Sequence, residues 1–542
     1  MSVPQTAQEY YEQGARLLNS GDVSGAVVSL TKAAELRLGP QTIGALGMAL
    51  MRGGNFDSAL SWFSRLDENN AHDVRTLTLQ GQAFEGLGKF DEAVARYRTC
   101  LNASPLQIPV LRRYSELAWP RDREDVLKRF DATCALITEE TPHGLLALQL
   151  AAQYQEFAAR QDNGQASGLG TSLDDLFFRY ATEARDRVCD LARRRLEKSG
   201  TDTQALAALA FYFMSQHDWE RAGDSYARLK KAQPDDIDLM MFIDADYAAR
   251  LDRYDADAVS EVLPAVHHVR PLDDSPAGTL FLASSLEYAE KFTMPLLLSL
   301  EDQGVAARVQ VHVMAEPGET ISVLEAALSG FAHVEVGLSW EIIDLKTIPH
   351  TDSRNYFHAI RYVRAAQAVQ SSGGAVVLMD VDGLVNADPK RIFDVLNGGD
   401  AGVCVIPAAW IAKSQMRGDF AAFAPTAKGR AYAWRIAAFI TDAFDRDALF
   451  WAIDQNALFT VHAEMEAAGH APDLKVFGPN VYSQSADPEA VFWSSAGKEK
   501  FRDIATLQTG TADETTFAGN PFMQKYARYH SMARDRLAKA RD

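Results

Sequence analysis

Three glycines set a ruler along the first hundred residues. Gly14, Gly47 and Gly81 stand 33 and then 34 residues apart. Twelve residues after each comes an alanine (Ala26, Ala59, Ala93), and sixteen after comes a large side chain (Leu30, Phe63, Tyr97). Nineteen after come Ala33, Leu66 and Cys100, and Pro105 closes the third copy. A period of this length implies small units that bury a core only by stacking on their neighbours. The spacing suits helical hairpins: a small residue lets two helices approach, and a large one fills the gap to the next hairpin. Turn-forming residues at Asn19–Asp22, Gly53–Asn55 and Gly86–Gly88 fall between the helical stretches. A fourth copy fits the same ruler with Ala210, Ala222, Tyr226, Leu229 and Pro234, and a weaker one ends near Ala258.

This pattern resembles the tetratricopeptide repeat. The resemblance implies a helical solenoid over residues 1–265, clearest at 6–106 and 203–260, with divergent helices between. It also implies a concave surface for a protein partner or an acceptor. Residues 266–276, with His267, His268 and two prolines, read as a linker. Neighbouring histidines on an extended chain point to opposite faces, which disfavours a shared metal.

Composition narrows the function classes. The chain has 542 residues, enough for two or three domains. Its net charge of −19 disfavours a nucleic-acid partner, which needs a basic face. No run approaches the ~20 apolar residues of a membrane helix, and the N-terminus lacks a basic-then-apolar leader. Cys100, Cys134, Cys189 and Cys404 are widely spaced, so buried free thiols in a reducing cytoplasm are expected.

After Pro264 the pattern changes. Apolar and β-branched runs at 279–283, 308–314, 333–336, 341–345 and 375–379 alternate with helical stretches at 288–300, 320–329 and 356–370. Such alternation predicts an α/β domain with a mostly parallel sheet. The run Ala375–Met379 reads as a buried strand. Directly after it come Asp380, Val381 and Asp382. Two carboxylates at the exit of a buried strand are costly without a partner. Mg²⁺ or Mn²⁺, held by one or two carboxylates and substrate phosphates, is an economical one.

The segment from Val376 to Pro389 resembles the D-x-D segment of GT-A fold glycosyltransferases, in particular the glycogenin-like ones. The resemblance implies a GT-A domain over residues 277–520 and a nucleotide-sugar donor, a UDP-sugar first among them. It places the metal on Asp380 and Asp382, with Asp380 also at the ribose. Phe281–Tyr288 resembles the family's opening strand and loop, which puts Ser284, Ser285 and Tyr288 at the nucleotide; Ser285 stands where the family usually has aspartate. Arg361, nineteen residues before Asp380, matches an arginine that reaches the active site. Trp451–Phe459 resembles the Asp-Gln segment, so Asp454 and Gln455 fall near the reacting sugar. The family's third metal ligand, a histidine near the C-terminus, is replaced here by Phe492, Trp493 or Ser494, with Lys498 left to neutralise the leaving diphosphate. His462 or His530 could supply the missing ligand. Residues 521–542 read as a basic amphipathic helix. The expected activity is transfer of a sugar to a protein or glycan acceptor presented by the repeats. The alternative is a repeat-based adaptor whose second domain binds sugar nucleotide without catalysis. A nucleotidyltransferase would need a glycine-rich phosphate loop after the first strand, and Ala283–Leu286 is not one.

Overall fold

The computed structural model describes residues 6–541 apart from 38, 67–72, 163–181, 234–241, 348–352, 406–415, 479, 484–485, 495–503, 505–506, 508–513 and 518–519. Pro234 and Lys498 lie outside the described residues. The chain forms two compact units. One holds residues 1–158 and 181–198, and the other holds residues 159–180 and 199–542.

The first unit is built of helical hairpins in the tetratricopeptide manner: α1 (Ala7–Asn19) with α2 (Val23–Leu36), α3 (Pro40–Arg52) with α4 (Phe56–Phe63), and α5 (Val74–Gly86) with α6 (Phe90–Ala103). The glycine ruler is a packing rule. A Cβ on Gly14 would overlap the Leu30 side chain, one on Gly47 the Phe63 ring, and one on Gly81 the Tyr97 ring. Ala26, Ala59 and Ala93 are fully buried at the same crossings. Asp22 and Asp73 cap α2 and α5 by accepting backbone N–H bonds, each contributing about 1 kcal/mol. The off-register helices follow as α7 (Ile108–Ala118), α8 (Arg123–Cys134), α9 (Gly144–Asp162) and α10 (Thr182–Lys198).

The second unit opens with four more helices: α11 (Thr203–Met214), α12 (Trp219–Ala232), α13 (Ala245–Leu251) and α14 (Ala256–Val262). The later repeat copies fall here, beyond the division between the two compact units. The reason is the surface that α13 covers. Arg250 donates to the buried Asp442 at 2.9 Å, Arg435 reaches Asp252 at 2.7 Å, and the Trp434 indole donates to the Tyr254 carbonyl at 3.0 Å. The Phe211 and Phe459 rings stack at 6.4 Å.

The sheet follows. Its strands are β1 (His267–Arg270), β2 (Thr279–Ser285), β3 (Ala307–Ala315), β4 (Val334–Ile342), β5 (Val376–Met379), β7 (Ala401–Val405), β8 (Met416–Phe423) and β9 (Leu474–Val476). A smaller sheet joins β6 (Leu384–Val385), β10 (Tyr482–Ser483) and β11 (Phe492–Trp493). The eight strands run in the order β1-β4-β3-β2-β5-β8-β7-β9. All are parallel except β8 and the edge strand β1. Two expectations are corrected. His267 and His268 are not linker: they pair with Trp340 and Ser339 as the edge strand. The two short strands expected at 333–336 and 341–345 are one continuous β4, because nine parallel pairs to β3 carry the backbone through Gly337.

The connecting helices are α15 (Met294–Glu301), α16 (Ser322–Ala327), α17 (Ser353–Ser371), α18 (Lys390–Leu396), α19 (Ala427–Asp445), α20 (Ile453–Ala467) and α21 (Pro521–Arg541). A π-helical turn, Ala289–Thr293, precedes α15. The C-terminal α21 packs against α15 and α16, with Tyr529 donating to Asp302 and Arg536 to the Ala327 carbonyl. No helix among the described residues is long and apolar enough to cross a membrane.

Candidate functional site

Strand order reverses between β2 and β5: the chain moves outward through β3 and β4, then returns to the other side of β2. At such a point the loops beyond the carboxyl ends of the two strands part, leaving a crevice. Asp380 stands at that end of β5, whose four residues are all buried. Its backbone N–H donates to the Asp419 carbonyl on β8 at 2.9 Å, so the turn is fixed on both sides. Val381 is buried and Asp382 half-buried, and β6 then leads into the small sheet.

Arg361 joins three segments here. Its guanidinium donates to Asp380, to the Gly418 carbonyl at 2.6 Å and to Asp454 Oδ2 at 3.0 Å, while Nε donates to the His358 carbonyl at 3.0 Å. α17 supplies the arginine, and the first turn of α20 supplies Asp454. Ala452, just before α20, has a left-handed backbone (φ 67°), and the turn delivers Asp454 inward, 3% exposed. Gly418 must lack a side chain, since a Cβ there would overlap the Asp454 carboxylate. Of the sequence-expected residues, the structure thus brings Arg361, Asp380 and Asp454 into direct contact.

Burial pushes the Asp380 carboxyl up to about 7, helped by Asp382 and Asp419 and opposed by Arg361. Asp419 is itself clamped by Arg417 at 2.7 Å and accepts the Tyr482 hydroxyl. Four acidic side chains (380, 382, 419, 454) stand against two guanidiniums (361, 417), so acidic groups outnumber basic ones here.

The other expected residues vary. Tyr288 is half-buried, its ring 4.5 Å from Phe292, and its hydroxyl pKa is raised by burial and then by Asp382 and Asp380. Ser285 caps the short turn that follows β2, accepting the Tyr288 N–H at 3.3 Å. Ser284 is buried and donates to the Ser285 carbonyl at 3.2 Å. Gln455 contributes its backbone N–H to Asp454 Oδ1 at 2.9 Å. His462 faces Tyr432 and Glu466 inside the helical layer, and His530 stacks on Tyr526. Among the described residues no group of three or more His, Cys, Asp or Glu is arranged to hold a metal ion.

Two residues at this site were missed. His358 lies on the same face of α17 as Arg361, three residues earlier. Burial and the Arg361 charge push its imidazole down to about 4, while Asp454 and Asp382 pull it up. Trp451, 58% exposed, sets its ring edge-on to His358 at 4.5 Å. The i, i+3 spacing from Arg361 was the available signal for His358.

No family model matches the chain. Similar solved structures include a tetratricopeptide repeat protein from Parabacteroides merdae (15% identity, 42% of this chain and 94% of that one, TM-score 0.25). PilF of Pseudomonas aeruginosa matches at 13% identity over 46% of this chain and 97% of its own, TM-score 0.27. A thermophilic tetratricopeptide repeat protein of Thermus thermophilus matches at 15% identity over 45% and 98%, TM-score 0.20.

Proposed function

We propose that the second unit is a GT-A type glycosyltransferase, moving a sugar from a nucleotide diphosphate sugar, a UDP-sugar first among the candidates, to an acceptor hydroxyl. The observation that supports it is the convergence of Asp380, Arg361 and Asp454 at the point where strand order reverses. The donor set suits Mg²⁺ or Mn²⁺: oxygen ligands only, two carboxylates in sequence and more acidic groups than basic ones, with phosphates completing the shell. A bound ion would supply Lewis-acid neutralisation of the leaving diphosphate. Asp380 and Asp382 would hold it. Arg361 orients Asp380 and Asp454 and offsets the cost of burying two acidic side chains. Asp454 then faces the reacting sugar, and Tyr288 lines the nucleotide side. The hairpins of the first unit would hold a protein or glycan acceptor, raising its effective concentration.

The adaptor reading is favoured by one observation, the lack of a third protein ligand among the described residues. Binding and hydrolysis of UDP-sugars, with and without Mn²⁺, separate the two. The transferase reading expects Mn²⁺-dependent hydrolysis that Asp382→Ala abolishes. Binding and hydrolysis both unchanged in Asp382→Ala would remove the metal assignment, and tight binding with no turnover would favour the adaptor.

A further inference from the structure

A second hollow opens at the other end of the sheet. It lies between α17 and the amino ends of β2, β3 and β5, and encloses about 650 Å³. Its floor is polar, whereas a sheet face covered by a helix is ordinarily apolar. The Gln310 amide and the His312 ring both meet the Ser339 hydroxyl, each at 3.0 Å. His312 is 1% exposed, and the Phe281 ring stacks on it at 6.4 Å. Behind it the buried Glu341 accepts from Tyr356 at 2.8 Å and from Arg364 at 2.6 Å, and faces His312 Nε2 at 3.5 Å. A buried row of polar groups is costly to keep. Here Gln310, His312 and Ser339 line a space within the roughly 300–1,000 Å³ of small-molecule sites.

Charge narrows the ligand. Arg364 donates to Glu341, Gln367 and the Pro264 carbonyl. Arg308 donates to Glu335 and to the Asp273 carbonyl. Both guanidiniums in the lining are thus engaged, and Asp273 and Asp274 stand at the mouth. An anion would meet carboxylates first. A neutral molecule with many hydroxyls would meet the half-buried Gln310 amide, with the Ser339 hydroxyl and the His312 ring behind it. We propose that this cavity is a second ligand site, taking a neutral polyhydroxylated molecule of mono- to trisaccharide size. It is separate from the Asp380–Asp382 site and does not depend on the transferase reading.

The test is saturation-transfer NMR on the full chain with glucose, galactose, N-acetylglucosamine and maltotriose, each up to about 10 mM to reach weak affinities. At least one sugar is expected to bind. Ala368→Trp, which fills the cavity from α17, should abolish its signal. Gln310→Leu should weaken binding by about tenfold, and Asp382→Ala should leave it unchanged. Circular-dichroism melts check each fold, and Ser371→Trp at the exposed rim serves if an interior variant does not fold. The proposal is overturned if no sugar binds the wild-type chain, if the folded cavity variants bind as it does, or if Asp382→Ala alone abolishes binding.

Discussion

Burial pushes the His462 imidazole down to about 3. The ring sits against Tyr432, with Glu466 at 3.9 Å. An unfolded chain takes up a proton near pH 6.5 that the folded one refuses until about 3. Stability from this group is therefore full above pH 6.5 and is lost as pH falls toward 3, by at most about 1.4 kcal/mol per pH unit. His462→Leu should flatten that part of the melting-temperature profile; parallel wild-type and variant curves would show another group to be responsible. Arg361→Met should be costlier at neutral pH and above, because Asp380 and Asp454 stay behind uncompensated. Losing one partner of a buried pair costs about 3–5 kcal/mol, read as a lower denaturation midpoint, and donor hydrolysis should vanish with it. The sequence showed these residues unevenly. Asp380 stood out because a buried strand ended on it. His358 did not, because a lone helical histidine looks the same whether it packs or serves a site.

At the scale of elements, the repeat ruler translated into contacts: Gly81 is small because the Tyr97 ring occupies the space of its side chain. Gly81→Val should cost about 1–3 kcal/mol by overpacking, seen as an earlier melt of the first unit, with the UDP-sugar hydrolysis proposed for the second unit unchanged. Edge strand β1 was illegible for a physical reason. Three of its four residues are exposed, so no apolar alternation marked them, and only pairing with β4 makes them a strand. The break in β4 was misread because Gly337 looks like punctuation. Leu272 and Gln310 crowd the place a side chain would take there, so close approach and not a turn explains it.

For the whole molecule, periodicity told which helices form but not what they lean on. The copies at 203–260 keep the repeat spacing while their outer face is committed to α19 and α20 through Arg250, Tyr254 and Phe211. A fragment starting at 266 should therefore expose that face and aggregate, whereas one starting at 199 should elute as a folded species with a cooperative melt. Size-exclusion chromatography of the two decides it, and a well-behaved shorter fragment would refute the shared core. Arg361 carries a last consequence. Its partners lie 19, 57 and 93 residues away along the chain. Contacts that distant form only after the loops between them have closed. The complete guanidinium cluster is thus a late event in assembly, and a half-made chain emerging from the ribosome would carry Arg361 and the acidic motif before Gly418 and Asp454 exist to hold the arginine in place.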